Sequence, residues 1–140
     1  MQLVIEKKVT CRIPRAKLEK LLATTLRRYG KGKLKDIPEF SLALVDSKEI
    51  KTLNKQYRDK NEPTDVLSFE YGEVIICVPV AERQAKEHGI TLADELCLLF
   101  VHGTLHVLGY DHMKPKDAVV MRSAEQALLG FDGLISIAHR

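Results

Sequence analysis

The stretch from Thr91 to His112, TLADELCLLFVHGTLHVLGYDH, constrains the fold more than any other part of the chain. Leu92, Leu96, Leu99, Phe100, Leu105 and Leu108 put apolar side chains on too much of a helix surface for one narrow stripe. A helix that is apolar on most sides belongs in the middle of a domain, where every side is covered. Thr91 and Asp94 resemble a capping box with the shorter carboxylate in place of the preferred Glu or Gln, so the helix is expected to begin there. Gly109 stands where a C′ glycine would end it. Within this apolar helix His102 and His106 are four residues apart and share one face.

A lone histidine in such a setting reads as a core residue satisfied by a hydrogen bond. A second at i,i+4 weakens that reading, and His112 reverses it by completing the pattern H-x-x-x-H-x-x-G-x-x-H. The glycine lets the chain turn back, so the third imidazole can reach the other two. The expectation is one zinc ion per chain held by His102, His106 and His112. Three protein ligands with an open position form a catalytic site, whereas structural zinc usually takes four. The spacing is that of the metzincin zinc site, with one departure: Gly103 stands where an H-E-x-x-H enzyme carries its general-base Glu. Peptide hydrolysis is disfavoured on that ground. A phosphodiester, whose own oxygens can assist, suits the site better.

HGTLHVLGYDH, together with LNKQYRDKNEPTDVLSF upstream, resembles the bacterial metal-dependent endoribonucleases that mature ribosomal RNA, the YbeY family. The resemblance extends over nearly the whole chain. It implies that Arg58, in the YR pair, lies in the active-site groove and is both catalytic and substrate-binding. Without the resemblance, Arg58 reads as a surface arginine pairing with Asp59 or Glu62. A guanidinium can grip a phosphodiester through two parallel charge-assisted hydrogen bonds. Thr64, Asp65 and Ser68 belong to the same block and read as supports for the loop and strand edge, with Asp65 also open to a proton-transfer role. The resemblance further implies an acid in the last helix, which Glu125 matches.

Composition bounds the rest. With 140 residues, 45% hydrophobic and 29% charged, the chain is expected to form one domain over residues 1–140. No apolar run is long enough to span a bilayer and no signal peptide is evident, so a cytoplasmic protein without a membrane partner is expected. Cys11, Cys77 and Cys97 lack C-x-x-C spacing and read as reduced structural thiols. Charge is uneven: residues 1–35 hold 11 Lys or Arg against Glu6 and Glu19, a local net of +9, while the remainder is −6. A clustered basic segment attracts phosphate, though a solvated helix face gives the same composition.

In chain order, a first strand carries Leu3 and Ile5 on one side. Pro14 opens a helix to about Tyr29 that turns Ile13, Leu18, Leu21, Leu22 and Leu26 inward and ends at Gly30 and Gly32. The lysines at 31, 33 and 35 fall in the loop that follows. A second strand spans Phe40 to Val45. Asp46 or Ser47 caps a helix to Arg58, with Ile50, Leu53 and Tyr57 spaced to pack. VLSFEY and EVIICVP form a hairpin through Tyr71 and Gly72, and Pro79 ends the second of these strands. A short helix over Ala81–His88 precedes the histidine helix, and Lys114 to Leu129 forms the last. Met121 reads as packing rather than a Met-turn, His88 and His139 as surface histidines. Asp111 is equally suited to orient a ligand imidazole or to cap the turn. The apolar tail FDGLISIAHR is expected to cover an edge strand or to add a short element.

The order predicts an α/β (α+β-like) fold: a single mixed sheet of about four strands packed with helices, with the zinc site on the buried central helix. The leading function is a single-strand-selective endoribonuclease that uses one zinc ion to hydrolyse RNA phosphodiesters, with Arg58 holding the phosphate. The family resemblance implies ribosomal RNA maturation and ribosome quality control, with precursor ribosomal RNA, the small subunit and its assembly factors as partners, and not DNA. Two alternatives use the same residues. One is a ribosome-associated RNA-binding factor with incidental catalysis; the other is a zincin-like metalloprotease or small-molecule metal hydrolase.

Overall fold

A computed structural model describes residues 2–30 and 39–130. The elements run β1 (Leu3–Lys7), α1 (Arg15–Tyr29), β2 (Phe40–Val45), α2 (Ser47–Arg58), β3 (Val66–Phe69), β4 (Glu73–Cys77), α3 (Val78–His88), α4 (Leu92–Val107) and α5 (Pro115–Leu129). The sheet has four strands in the order β1-β2-β4-β3. β1, β2 and β4 are parallel, and β3 returns antiparallel along β4. The expected mixed sheet is therefore present, with its antiparallel strand supplied by the hairpin. Gly72, at φ +109°, makes that hairpin turn, and its N–H donates to the Phe69 carbonyl at 2.9 Å. The lysines at 31, 33 and 35, His139 and the tail FDGLISIAHR lie outside the described residues.

Alternation along the central strands explains the layers. Leu42, Leu44, Val74 and Ile76 point to one face and join α1, α4 and α5 in the larger core. Ala43, Val45, Ile75 and Cys77 point to the other, where Ile50 of α2 and Val80 of α3 meet them. Both faces are covered, as the near-continuous apolar runs of parallel strands require. Met121 is fully buried in the larger core, so it packs. Burial pushes the Cys97 thiol up to about 11 and raises that of Cys11, so both remain protonated at neutral pH.

Three local expectations change. Pro79 does not end a strand element by itself: β4 stops at Cys77, and Pro79 occupies the first turn of α3, where its missing N–H has no cost. Tyr57 does not pack inward with Ile50; it is 57% exposed. His88 is not a surface histidine. Its side chain is only 4% exposed, and Nδ1 lies 3.1 Å from Oε1 of the buried Glu95, which ties α3 to α4.

Helix α4 is the centre of the molecule. Every residue from Glu95 to Leu105 is buried, and Thr91 caps the start by accepting the Asp94 N–H at 3.1 Å. At the other end Gly109, at φ +98°, donates to the His106 carbonyl and Tyr110 donates to that of Leu105. This pair of bonds is a Schellman motif, in which glycine relieves the left-handed conformation. Gly103 has a different reason. A Cβ there would stand 2.8 Å from Cγ1 of Val74 and 3.3 Å from Cγ2 of Val66, so its absence lets α4 lie directly on β4 and β3. A glutamate at this position would drive into the sheet.

Candidate metal centre

The last two turns of α4 and the loop after its Schellman turn bring His102, His106 and His112 together. His102 is buried, and the other two are partly buried. Nε2 of His106 lies 3.1 Å from Nε2 of His102 and 2.9 Å from Nδ1 of His112. One ring nitrogen carries either a hydrogen or a lone pair, so His106 cannot satisfy both neighbours by hydrogen bonding alone. Nitrogens bound tetrahedrally to one zinc at about 2.05 Å would be separated by roughly 3.3 Å, close to these two spacings, and all three ligand nitrogens lie within 4.8 Å of one another.

The far side of His102 points to the same donor set. Its Nδ1 is 3.1 Å from Oε1 of Glu125, a fully buried residue of α5. A carboxylate there accepts the Nδ1 hydrogen and leaves the Nε2 lone pair directed at the other two imidazoles, the usual way of fixing a ligand histidine. The three histidines thus form a plausible site for a single zinc ion, and they are the only such cluster among the described residues. Asp111 does not orient a ligand. Its Oδ1 accepts the Met113 N–H at 2.9 Å, and its own N–H donates to Asp117 at 3.0 Å, so it closes an Asx turn that carries His112.

The cluster opens on a cavity of about 1030 Å³ whose lining includes Arg58, Thr64, Asp65, Ser68, His102, His106 and His112. Arg58 is the last residue of α2, and Asp59 ends that helix in the left-handed region at φ +56°. The buried Asn54 holds the following loop by donating to the Glu62 carbonyl at 2.8 Å. Among the described residues no carboxylate lies within ion-pairing distance of Arg58. The pairing with Asp59 or Glu62 open to a surface arginine is therefore not made. Asp65 accepts the Val66 N–H at 2.8 Å and lies 3.4 Å from the Gln84 amide, which braces the start of β3.

The basic segment occupies a different place. Lys17, Lys20, Arg27 and Arg28 line a second hollow of about 410 Å³ between α1 and α5, and it shares no lining residue with the first. The end of α1 nevertheless approaches the histidine loop, because Tyr29 packs edge-on against Tyr110 with centroids 6.4 Å apart.

The sequence model of the endoribonuclease YbeY family matches residues 4–131. The chain belongs to this family. A Myxococcus xanthus protein named endoribonuclease YbeY is 40% identical over 130 residues, covering 84% of this chain and 44% of that protein. The namesake in Bordetella petrii is 47% identical over 100 residues, covering 65% and 64%. The one in Thiobacillus denitrificans is 41% identical over 113 residues, covering 74% and 77%. The chain thus spans less than two thirds of the length of the first two relatives. A solved Thermotoga maritima structure superposes with a TM-score of 0.60 at 32% identity, covering 91% of this chain and 87% of that one.

Two features escaped the sequence reading. The Glu95–His88 bond joins separate helices and leaves no periodic trace. The contacts among Tyr57, Phe69 and Tyr71 arise because the end of α2 meets the β3–β4 hairpin, and Tyr57 alone looks like a packing residue.

Proposed function

We propose that the protein is a zinc-dependent endoribonuclease of ribosomal RNA maturation, with its activity in the cavity between α4, β3 and the end of α2. The observation that carries this reading is the convergence of three imidazole nitrogens beside an arginine that has no acidic partner among the described residues. A zinc ion held by His102, His106 and His112 supplies Lewis acidity and a more acidic water. Arg58 binds the scissile phosphate and stabilises the negative charge that develops on it. Glu125 keeps His102 in the tautomer that faces the cavity. Asp65 serves as a brace, since its carboxylate already engages Val66 and Gln84. The basic face of α1 holds neighbouring phosphates without reading bases.

The substrate is single-stranded RNA of a ribosomal precursor, and the small subunit and its assembly factors are the partners, in the cytoplasm. Residues 1–140 act as a single domain. No single helix among the described residues is long and apolar enough to cross a membrane.

The test compares cleavage of structured and unstructured RNA by highly purified wild-type protein and Arg58→Ala. The variant should retain fold and zinc but lose about 2–4 kcal/mol of transition-state stabilisation, the scale of one preorganised donor. Arg58→Lys should recover little, because a point charge lacks the two-pronged geometry. Wild-type cleavage by Arg58→Ala at saturating RNA would remove Arg58 from the mechanism. Identical residual activity in wild type, Arg58→Ala and His106→Ala would mark a contaminating nuclease.

A further inference from the structure

The rim of the metal cavity carries an aromatic cluster that neither the zinc site nor Arg58 accounts for. Tyr57, in the last turn of α2, meets Phe69 at the end of β3 edge-on, with centroids 5.1 Å apart and rings at 75°. Phe69 in turn stacks on Tyr71 at 5.7 Å and 21°. The two outer rings are open: Tyr57 is 57% exposed and Tyr71 is 61% exposed. Tyr57 and Phe69 line the same cavity as Arg58 and the histidines.

We propose that Tyr71, backed by Phe69 and Tyr57, offers its free face as a stacking platform for a nucleobase of single-stranded RNA whose backbone Arg58 grips. This rests on the reading of the cavity as an RNA-cleaving site. Tyr71 has one face on Phe69, and its hydroxyl donates to Glu73, so the opposite face is presented in a fixed orientation. A pre-oriented ring loses little freedom when a base settles on it. Tyr57 and Arg58, both in the last turn of α2, line the same cavity, so a ring and a guanidinium border it together, matching the base and phosphate of a nucleotide chain. Every base has a π-face, so such a platform tolerates sequence. It discriminates against duplexes, whose bases are already stacked and paired. Single-strand selectivity then comes from Tyr71 and the rings behind it, while Arg58 and the histidines act on the backbone.

The test uses the full chain and an unstructured RNA oligonucleotide, with 2-aminopurine or a single abasic residue placed at successive positions. Mixing wild-type protein with the 2-aminopurine series should quench fluorescence at one position in the binding phase, before cleavage. The Tyr57→Ala/Tyr71→Ala double variant should lose that quench and raise KM about tenfold, with kcat within about twofold. That fold-change equals about 1.4 kcal/mol, within the range for one base on an aromatic ring. Phenylalanine at either position should restore both signals, since it keeps the ring. In wild type an abasic residue at the quenched position should cost the same tenfold, and in the double variant it should cost nothing more. An unchanged KM, or an equal abasic penalty in the double variant, overturns the platform. Thermal unfolding checks the fold; should the double variant fail to fold, Tyr71→Ala at the hairpin carries the same measurements. Quenching without cleavage would sink the nuclease reading and leave the platform standing; cleavage unaffected by the tyrosines would do the reverse.

Discussion

Two buried histidine–glutamate pairs tie the helices of this protein together, and only one of them belongs to a site. His102 and Glu125 join α4 to α5; His88 and Glu95 join α3 to α4. In both, Nδ1 lies 3.1 Å from Oε1, and in both the carboxylate side chain is wholly buried. A buried carboxylate is costly without a partner, so each pair satisfies the same local demand. The difference lies on the far side of the ring. His102 meets two further imidazoles at the wall of an open cavity, whereas no second metal-capable cluster exists among the described residues. A histidine–carboxylate bond is thus a helix stitch by default, and convergence of neighbouring donors turns it into a metal centre.

The largest effect expected from breaking this contrast comes from His106→Ala. Two imidazoles cannot hold the ion in a closed arrangement, so zinc should fall well below one per chain and RNA cleavage should be lost. Because binding to a folded site contributes folding free energy, the unfolding temperature should drop toward that of the zinc-stripped wild type. Elemental analysis and thermal unfolding on one preparation check this. Full zinc occupancy in the variant would move the centre elsewhere.

The opposite pair should behave as a stitch. His88→Ala leaves the Glu95 carboxylate buried beside a void and should cost about 1–3 kcal/mol in chemical denaturation. Zinc content and cleavage of the folded fraction should remain at wild-type levels. A loss of zinc affinity at constant fold would show that the α3–α4 joint reaches the site. The next step down is Glu125→Gln, which removes the charge but keeps the shape. Metal affinity should fall about 10–100-fold, the usual scale for the group behind a ligand histidine. Competition with a chelator of known affinity measures it.

Legibility in the sequence follows the same division. His102, His106 and His112 lie within one helix and its exit turn, so the helical period and Gly109 were enough to assemble them. The sheet is equally readable, because β2 and β4 are apolar at all but one position each, Ser41 and Glu73, and Gly72 marks the hairpin. Glu125 came from the family resemblance, since nothing in α5 itself shows which carboxylate meets α4. His88–Glu95 and the Tyr57–Phe69–Tyr71 cluster depend on how separate elements dock, which no single segment encodes. Gly103 was informative in a second way. In sequence it marks the lack of a general base, and in the fold its neighbours Val74 and Val66 show that the position faces the sheet.

The smallest effect sharpens the comparison most, because it separates two carboxylates that flank the same imidazoles. Asp111 lies next to His112 and by spacing could have had the role that Glu125 fills. Its Oδ1 instead accepts the Met113 N–H, a bond in which only the acceptor oxygen matters. Asparagine retains that oxygen and is at home in Asx turns. Asp111→Asn should therefore keep wild-type zinc affinity and lose no more than about 0.5 kcal/mol of stability, the range of an ordinary surface change. Asp111→Ala should cost about 1 kcal/mol through the lost turn bond, with zinc affinity falling only as far as the loop loosens. Glu125→Gln differs in kind, because an amide accepts the Nδ1 hydrogen without the negative charge that raises the basicity of the ligand nitrogen. Chelator competition on Asp111→Asn and Glu125→Gln side by side reads the contrast directly. Equal losses would mean that His112 is held by Asp111 as His102 is by Glu125, and the turn assignment would fall.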